Sequence, residues 1–279
     1  MQLPTEHTTG HTMPWRVEDI DFSRIDPQTA TADEDLLLLV CSASFVESGS
    51  DLYTGNLSQF FSDDAEVSGW LNRAWEPEEL QHGRVLKTYI AEVWPDFDWD
   101  RAFQRFFDEY SRVCLVSNFE KTRGLEMVAR CVIETGTATL YRAIGDQATD
   151  PVLKEIAALV SADEVRHYKH FYKYFKRYQD REGHGRLTVL RTLARRLMEI
   201  RNEDSEIALR HVLITRYPEH RTDAAWLRQR IDRATALIRQ QLSADMCIKM
   251  LSKPLDLPAR AQPLVHYPLT KITQHVFFR

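Results

Sequence analysis

Trp75-Glu76-Pro77-Glu78-Glu79-Leu80-Gln81-His82-Gly83 and Ala162-Asp163-Glu164-Val165-Arg166-His167 are the two stretches on which the reading of this chain turns. Of the ten histidines, only His82 and His167 have a glutamate three residues before them, Glu79 and Glu164. Both pairs fall in segments expected to be long helices, where residues i and i+3 stand about 60° apart around the axis and about one turn along it. A carboxylate oxygen and an imidazole nitrogen so placed can meet one metal ion. A single pair of this kind arises by chance in any charged helix and decides nothing.

Each pair also has a glutamate one helix earlier: Glu47 lies 32 residues before Glu79, and Glu134 lies 30 before Glu164. Four glutamates and two histidines, ordered Glu…ExxH twice over, are the ligand set of carboxylate-bridged di-iron bundles, in which each half supplies one Glu helix and one ExxH helix. The largely uncharged runs 41–46 before Glu47 and 129–133 before Glu134 argue against solvated helix faces, the ordinary origin of such charges. Four buried carboxylates are costly without cations, whereas two divalent ions neutralise them and leave positions open to dioxygen as co-substrate. The expected cofactor is therefore two Fe ions cycling between Fe2+ and Fe3+. Oxygen and imidazole donors suit iron or manganese over a thiolate-loving metal, so Mn/Fe stays open beside Fe/Fe. The expected fold is all-α, a ferritin-like four-helix bundle with a di-metal site plus additional C-terminal helices.

Composition agrees with this. A chain of 279 residues that is 43% apolar can bury a large core, and ten glycines and eleven prolines are few for its length. A net charge of -5 and a pI near 6.1 give no electrostatic reason to seek nucleic acid or an anionic membrane. The apolar run 36–40, even extended to 46, is short of a bilayer, and the N-terminus lacks a signal pattern, so a soluble cytoplasmic protein is expected. Cys41, Cys114, Cys131 and Cys247 form no CxxC pair, which fits buried thiols in a reducing compartment. Residues 1–30 read as a polar N-terminal arm, 31–182 as the di-iron helical core, and 183–279 as C-terminal helices and a tail packed on the same domain. Within the core, helices are predicted over 33–61 with a kink at Ser48-Gly49-Ser50, over 76–93 with Pro77 in the first turn, and over 98–113 capped by Asp98. Two more follow, 118–144 closed by a Gly145-Asp146 turn and 151–181 ended by Gly183 and Gly185. Amphipathic segments 186–202, 203–215 and 222–252 precede a tail spaced by Pro254, Pro258, Pro263 and Pro268.

The quoted residues resemble the soluble acyl-carrier-protein desaturases of plants and actinobacteria, within the ferritin-like di-iron carboxylate superfamily. The 75–83 stretch is similar to that family's Trp-x-x-Glu-Glu-x-x-His-Gly segment, and 162–167 to its Asp-Glu-x-Arg-His segment. Glu47 with Tyr53 six residues on resembles its first ligand helix, and Glu134-Thr135-Gly136-Thr137 its Glu-x-x-Thr. The resemblance covers about 30–180. It implies Glu47, Glu79, His82, Glu134, Glu164 and His167 as metal ligands, with Thr137 beside the dioxygen site as the catalytic hydroxyl. A core threonine bonded to a backbone carbonyl is the alternative for Thr137. Asp163 and Glu78 precede the two ExxH glutamates, and each is placed to accept the free ring N–H of the histidine in the opposite half, or is plain surface charge.

The implied activity is an oxygen-dependent di-iron oxidase that desaturates, or otherwise oxidises, a long-chain acyl group carried on acyl carrier protein. No GxGxxG fingerprint is present, so the reducing equivalents are expected from an external donor such as ferredoxin. A homodimer is implied by the resemblance alone. Two other functions keep the same ligands: a di-iron hydroxylase or N-oxygenase acting on a smaller or tethered metabolite, and an iron-binding or ferroxidase protein. Some N-oxygenases add a seventh ligand, a histidine four residues before the last ExxH, but Val160 holds that position here. His170 is offset from Glu164 and is not expected to ligate. The run 169–177 carries lysines and aromatics that would suit an acidic carrier, or a core face backed by a solvated one.

Overall fold

The computed structural model describes residues 13–199, 204–239, 241–258 and 260. The first twelve residues of the arm, and Pro263 and Pro268 of the tail, lie outside them. Among the described residues the secondary structure is helical, with no strand. Helix α1 (Glu34–Ser48) starts on Asp33, whose carboxylate accepts the Leu36 N–H at 3.0 Å, and breaks at Gly49 into α2 (Ser50–Phe60). The rod α3 (Ala65–Trp70), a π turn (Leu71–Trp75) and α4 (Glu76–Val93) then run continuously. After α5 (Trp99–Val113), capped by Asp98, come the two longest of the described helices, α6 (Arg123–Gln147) and α7 (Pro151–Glu182). Asp150 accepts the Val152 and Leu153 N–H groups beneath Pro151, and Gly183 ends α7 in left-handed backbone at φ 63°.

α1 packs along α4 and α6 along α7, and contacts of α4 with α7 and of α1 with α6 join the two pairs into a four-helix bundle. Apolar side chains fill its two ends. One cluster holds Leu38 and Phe45 of α1, Leu86 and Tyr89 of α4, Ile144 of α6 and Ile156 of α7. The other holds Leu57, Trp75, Met127, Val128, Phe171 and Phe175. Each such fully buried side chain contributes about 1.5–3 kcal/mol. On all four bundle helices the motif glutamates and histidines fall between these clusters, in one polar layer.

The C-terminal helices cover the bundle. α8 (Arg186–Glu199) and α11 (Ala244–Ser252) lie on α6, α9 (Asp204–Arg216) on α1 and α5, and α10 (Ala224–Arg239) on α1. Residues 34–60 are long and apolar enough to cross a membrane by length and composition. Their apolar side chains face protein: Leu37, Leu38, Val40 and Phe45 are at most 1% exposed.

Three sequence expectations change, while α4 spans Glu76–Val93 as expected and is joined by a π turn to helical backbone that begins at Ala65. Pro77 lacks an N–H and its ring crowds the carbonyl four residues back, so the wider turn just before it keeps the rod intact. Gly145 stays helical, since α6 continues to Gln147 and the chain turns at 148–150. A Cβ on Gly145 would meet the Ala157 Cβ at 3.4 Å, so the glycine serves close packing of α6 on α7 rather than a turn. The single segment expected over 222–252 divides, with Ser243 capping α11. Finally, the described part of the N-terminal arm is packed: Trp15 and Ile20 are each 6% exposed.

Candidate metal centre

Each helix of the bundle brings its part to the polar layer by the spacing read above. Glu47 comes from α1, Glu79 and His82 from consecutive turns of α4, Glu134 from α6, and Glu164 and His167 from consecutive turns of α7. All six are buried, none more than 6% exposed. Their donor atoms form two overlapping groups whose members lie within 4.8 Å of one another: Glu47, Glu79, His82 and Glu164, and Glu79, Glu134, Glu164 and His167. Glu79 and Glu164 belong to both. His82 Nδ1 lies 3.2 Å from Glu164 Oε1 and 3.9 Å from Glu47 Oε2. His167 Nδ1 lies 2.9 Å from Glu79 Oε1 and 3.6 Å from Glu134 Oε2.

Both imidazoles therefore present Nδ1 inward, and their outer nitrogens are held. His82 Nε2 meets Asp163 Oδ2 at 3.2 Å, and His167 Nε2 meets Glu78 Oε2 at 2.6 Å. Asp163 and Glu78 are thus each placed on the histidine of the opposite half. A proton fixed on Nε2 by a carboxylate leaves the Nδ1 lone pair facing the centre. Arg166 ties the two carboxylates together, at 2.7 Å to Asp163 and 2.6 Å to Glu78. Burial opposes ionisation of Asp163, but hydrogen bonds from His82 and Arg166 hold its carboxyl below the ordinary range.

Protein atoms alone do not satisfy this layer. Glu79 Oε1, His82 Nδ1, Glu134 Oε2, Glu164 Oε1 and His167 Nδ1 are sealed from solvent and, among the described residues, have no well-aligned hydrogen-bond partner. Burial drives the Glu79 carboxyl well above its ordinary value, with the Glu164 and Glu47 charges adding to it, and pushes Glu134 up to about 8. Burial also opposes charge on Glu164, yet the His167 and His82 imidazoles facing it hold it well below the carboxylate range. Burial opposes charge on the imidazoles too, but the surrounding carboxylates raise both well above an ordinary histidine. Protons shared among these groups stand where cations belong, and the donor set fits one or two divalent ions. The buried cluster can hold a metal ion.

Thr137, one turn beyond Glu134, points its hydroxyl at Glu164 Oε2 at 2.7 Å, with the Ile133 and Glu134 carbonyls further off at 3.3 Å each. His170 lies outside the cluster, its ring stacked on Trp70 at 4.9 Å. In the 169–177 run, Phe171, Tyr174 and Phe175 are buried, while Lys169, Lys173 and Lys176 are exposed. Tyr53 packs its ring against Trp75 and under the Arg130 guanidinium.

Two further side chains reach the cluster that the sequence reading did not single out. Trp15 lays its ring parallel to His82 at 6.2 Å and donates its indole N–H to Asp163 at 2.9 Å, while its carbonyl accepts from Gln81 at 2.9 Å. Nothing local marks this contact, since 148 residues separate Trp15 from Asp163. Tyr141, the next inward position of α6 after Thr137, donates its phenol to Glu47 Oε1 at 2.5 Å. Seven residues after Glu134, it stands about two helical turns along the same face, but the sequence does not mark the carboxylate it meets.

No curated protein matches the chain. The sequence pattern that defines the fatty acid desaturase family matches residues 22–201, well over half of the chain. That span contains Glu47, both ExxH pairs and Glu134 together with all four helices that carry them, and on this match the chain belongs to the fatty acid desaturase family.

Proposed function

We propose that the protein is an oxygen-dependent di-iron oxidase that desaturates a long-chain acyl group carried as a thioester on acyl carrier protein. The observation that carries the reading is the doubled cluster of unsatisfied, inward-facing carboxylate and imidazole atoms, in a chain of the fatty acid desaturase family. Two iron ions bound there would supply the activation of dioxygen needed to break an unactivated C–H bond. Glu79 and Glu164, each of which faces both histidines, would hold the ions together with His82, His167 and the outer carboxylates Glu47 and Glu134.

The protein's own part is placement, charge and exclusion of water. Asp163 and Glu78 set the tautomer of each histidine and the direction of its ring. Thr137 offers a proton 2.7 Å from Glu164, at the edge of the cluster where a hydroxyl can hold or pass one on. The Trp15 and Trp75 rings close two sides of the polar layer. In the overall reaction a CH2–CH2 unit loses two hydrogens, and dioxygen takes these with two electrons and two protons to leave as water. The electrons come from an external donor such as ferredoxin, and the reaction is assigned to the cytoplasm.

The test is a single turnover of protein loaded anaerobically with Fe(II), mixed with dioxygen and a long-chain acyl-carrier-protein thioester, with the acyl chain then weighed by mass spectrometry. Loss of two hydrogens is the expected result. Gain of one oxygen would replace desaturation by hydroxylation, and an unchanged chain with oxidised iron would replace it by iron handling.

A further inference from the structure

The doubled Glu…ExxH layout predicts two equivalent halves, and hydrogen bonds to the outer carboxylates break that equivalence. Tyr141, seven residues after Glu134, is 1% exposed and donates to Glu47 Oε1 at 2.5 Å. The matching position seven residues after Glu47 is Thr54, whose hydroxyl donates to the Ser50 carbonyl of its own helix at 2.9 Å. Among the described residues Glu134 Oε2 has no hydrogen-bond partner. The position three residues after each outer glutamate differs in the same sense: Thr137 donates to Glu164, while the Ser50 hydroxyl has no partner. The helix that carries Glu47 ends at Ser48, so 50–54 belong to α2, whereas 134–141 lie on one uninterrupted helix.

We propose that Tyr141 is a positioning residue that fixes Glu47 with one oxygen turned away from the centre, making the Glu47–His82 position bind a metal ion more tightly than the Glu134–His167 position. This rests on the reading of the cluster as a two-metal site. A carboxylate tethered at one oxygen presents the other in a set direction, so little freedom is lost when an ion arrives. Among the described residues no hydroxyl tethers Glu134, which must be ordered by the ion itself. The first divalent ion therefore enters beside Glu47, and the second completes the pair through Glu79 and Glu164.

The test is stepwise addition of Co(II) alone to the metal-free full chain, followed by calorimetry and by the visible absorption of the bound ion. The wild type is expected to take up two ions in separate steps. Tyr141→Phe should weaken the tighter step about tenfold, the lower end of what loss of a supporting hydrogen bond costs a metal site, and leave the other step in place. Thr54→Val, which removes a hydroxyl bonded within its own helix, should change neither. If Tyr141→Phe does not fold, the comparison passes to Glu47→Gln, expected to abolish the tighter step, and Glu134→Gln, expected to abolish the weaker. Two equal steps in the wild type, an unchanged tighter step in Tyr141→Phe, or the reverse assignment of the glutamine variants would overturn the inference while leaving the two-metal reading intact. Uptake of fewer than two ions by the wild type would overturn that reading itself.

Discussion

At the scale of the residue, the glutamates are predicted to differ in what their loss removes. Glu79 and Glu164 face both histidines, so Glu79→Ala or Glu164→Ala should leave the purified protein with no iron. Glu47→Ala or Glu134→Ala should leave about half the wild-type content, because each serves one group. Equal iron loss in all four variants would contradict the shared role. Asp163→Ala frees His82 Nε2 and removes a partner of Arg166 and Trp15, and iron retention should fall about 10–100-fold. Thr137→Val should lower the yield of oxidised product per dioxygen consumed, and an unchanged ratio would leave its hydroxyl without a part in the reaction. The residues of the cluster were legible from sequence because an i, i+3 pair is a local property of a helix, and its repetition 85 residues later is improbable by chance. Trp15 and Tyr141 were not, since an aromatic residue in an arm or on a helix carries no mark of which distant carboxylate it will meet.

At the scale of the element, α4 approaches α1 closely at Gly83, where an added Cβ would lie 2.4 Å from the Ser48 hydroxyl and 2.8 Å from the Ser48 backbone nitrogen. Gly83→Ala must push the two helices apart next to both Glu47 and His82. A cost of about 1–3 kcal/mol is expected from chemical denaturation, together with weaker metal binding. Asp64 couples α3 to α7. It accepts the Val67 N–H at the start of α3, the Tyr178 phenol at 2.6 Å and the Arg177 guanidinium. Burial opposes its ionisation, but these bonds hold its carboxyl below the ordinary value. Its contribution is therefore complete above the unfolded-state value of about 3.9 and is lost as the pH falls through the lower folded-state value. Asp64→Ala should cost about 0.5–2 kcal/mol at neutral pH, with a shallower loss of stability in acid than the wild type shows. Parallel acid limbs would take Asp64 out of that account. Helix ends marked by caps such as Asp33, Asp98 and Gly183 could be read in advance, because the signal is a short side-chain bond or a backbone preference. The π turn before Pro77 could not, because a proline near a helix start and a proline passed by a widened turn share the same local sequence.

At the scale of the whole molecule, two apolar clusters clamp a layer of four carboxylates and two imidazoles in which shared protons stand where cations belong. Ions bound only by the folded state stabilise it by mass action, about 2.7 kcal/mol for each ion present at a hundred times its dissociation constant. Stripping the metal should accordingly lower the unfolding temperature, and adding back Fe(II) without oxygen should restore it. An unfolding temperature indifferent to the metal would mean that the layer is satisfied without it. The architecture as a whole was accessible from composition and motif spacing, whereas the docking of the described N-terminal residues over His82 depends on tertiary contacts that no local pattern encodes. The central claim, that these four helices hold two irons as a bridged pair, is tested most directly by the Mössbauer spectrum of protein loaded with isotopically enriched Fe(II) and exposed to dioxygen. The account predicts two irons per chain that oxidise together into one magnetically coupled diferric pair, and a single uncoupled ferric ion, or none retained, would contradict it.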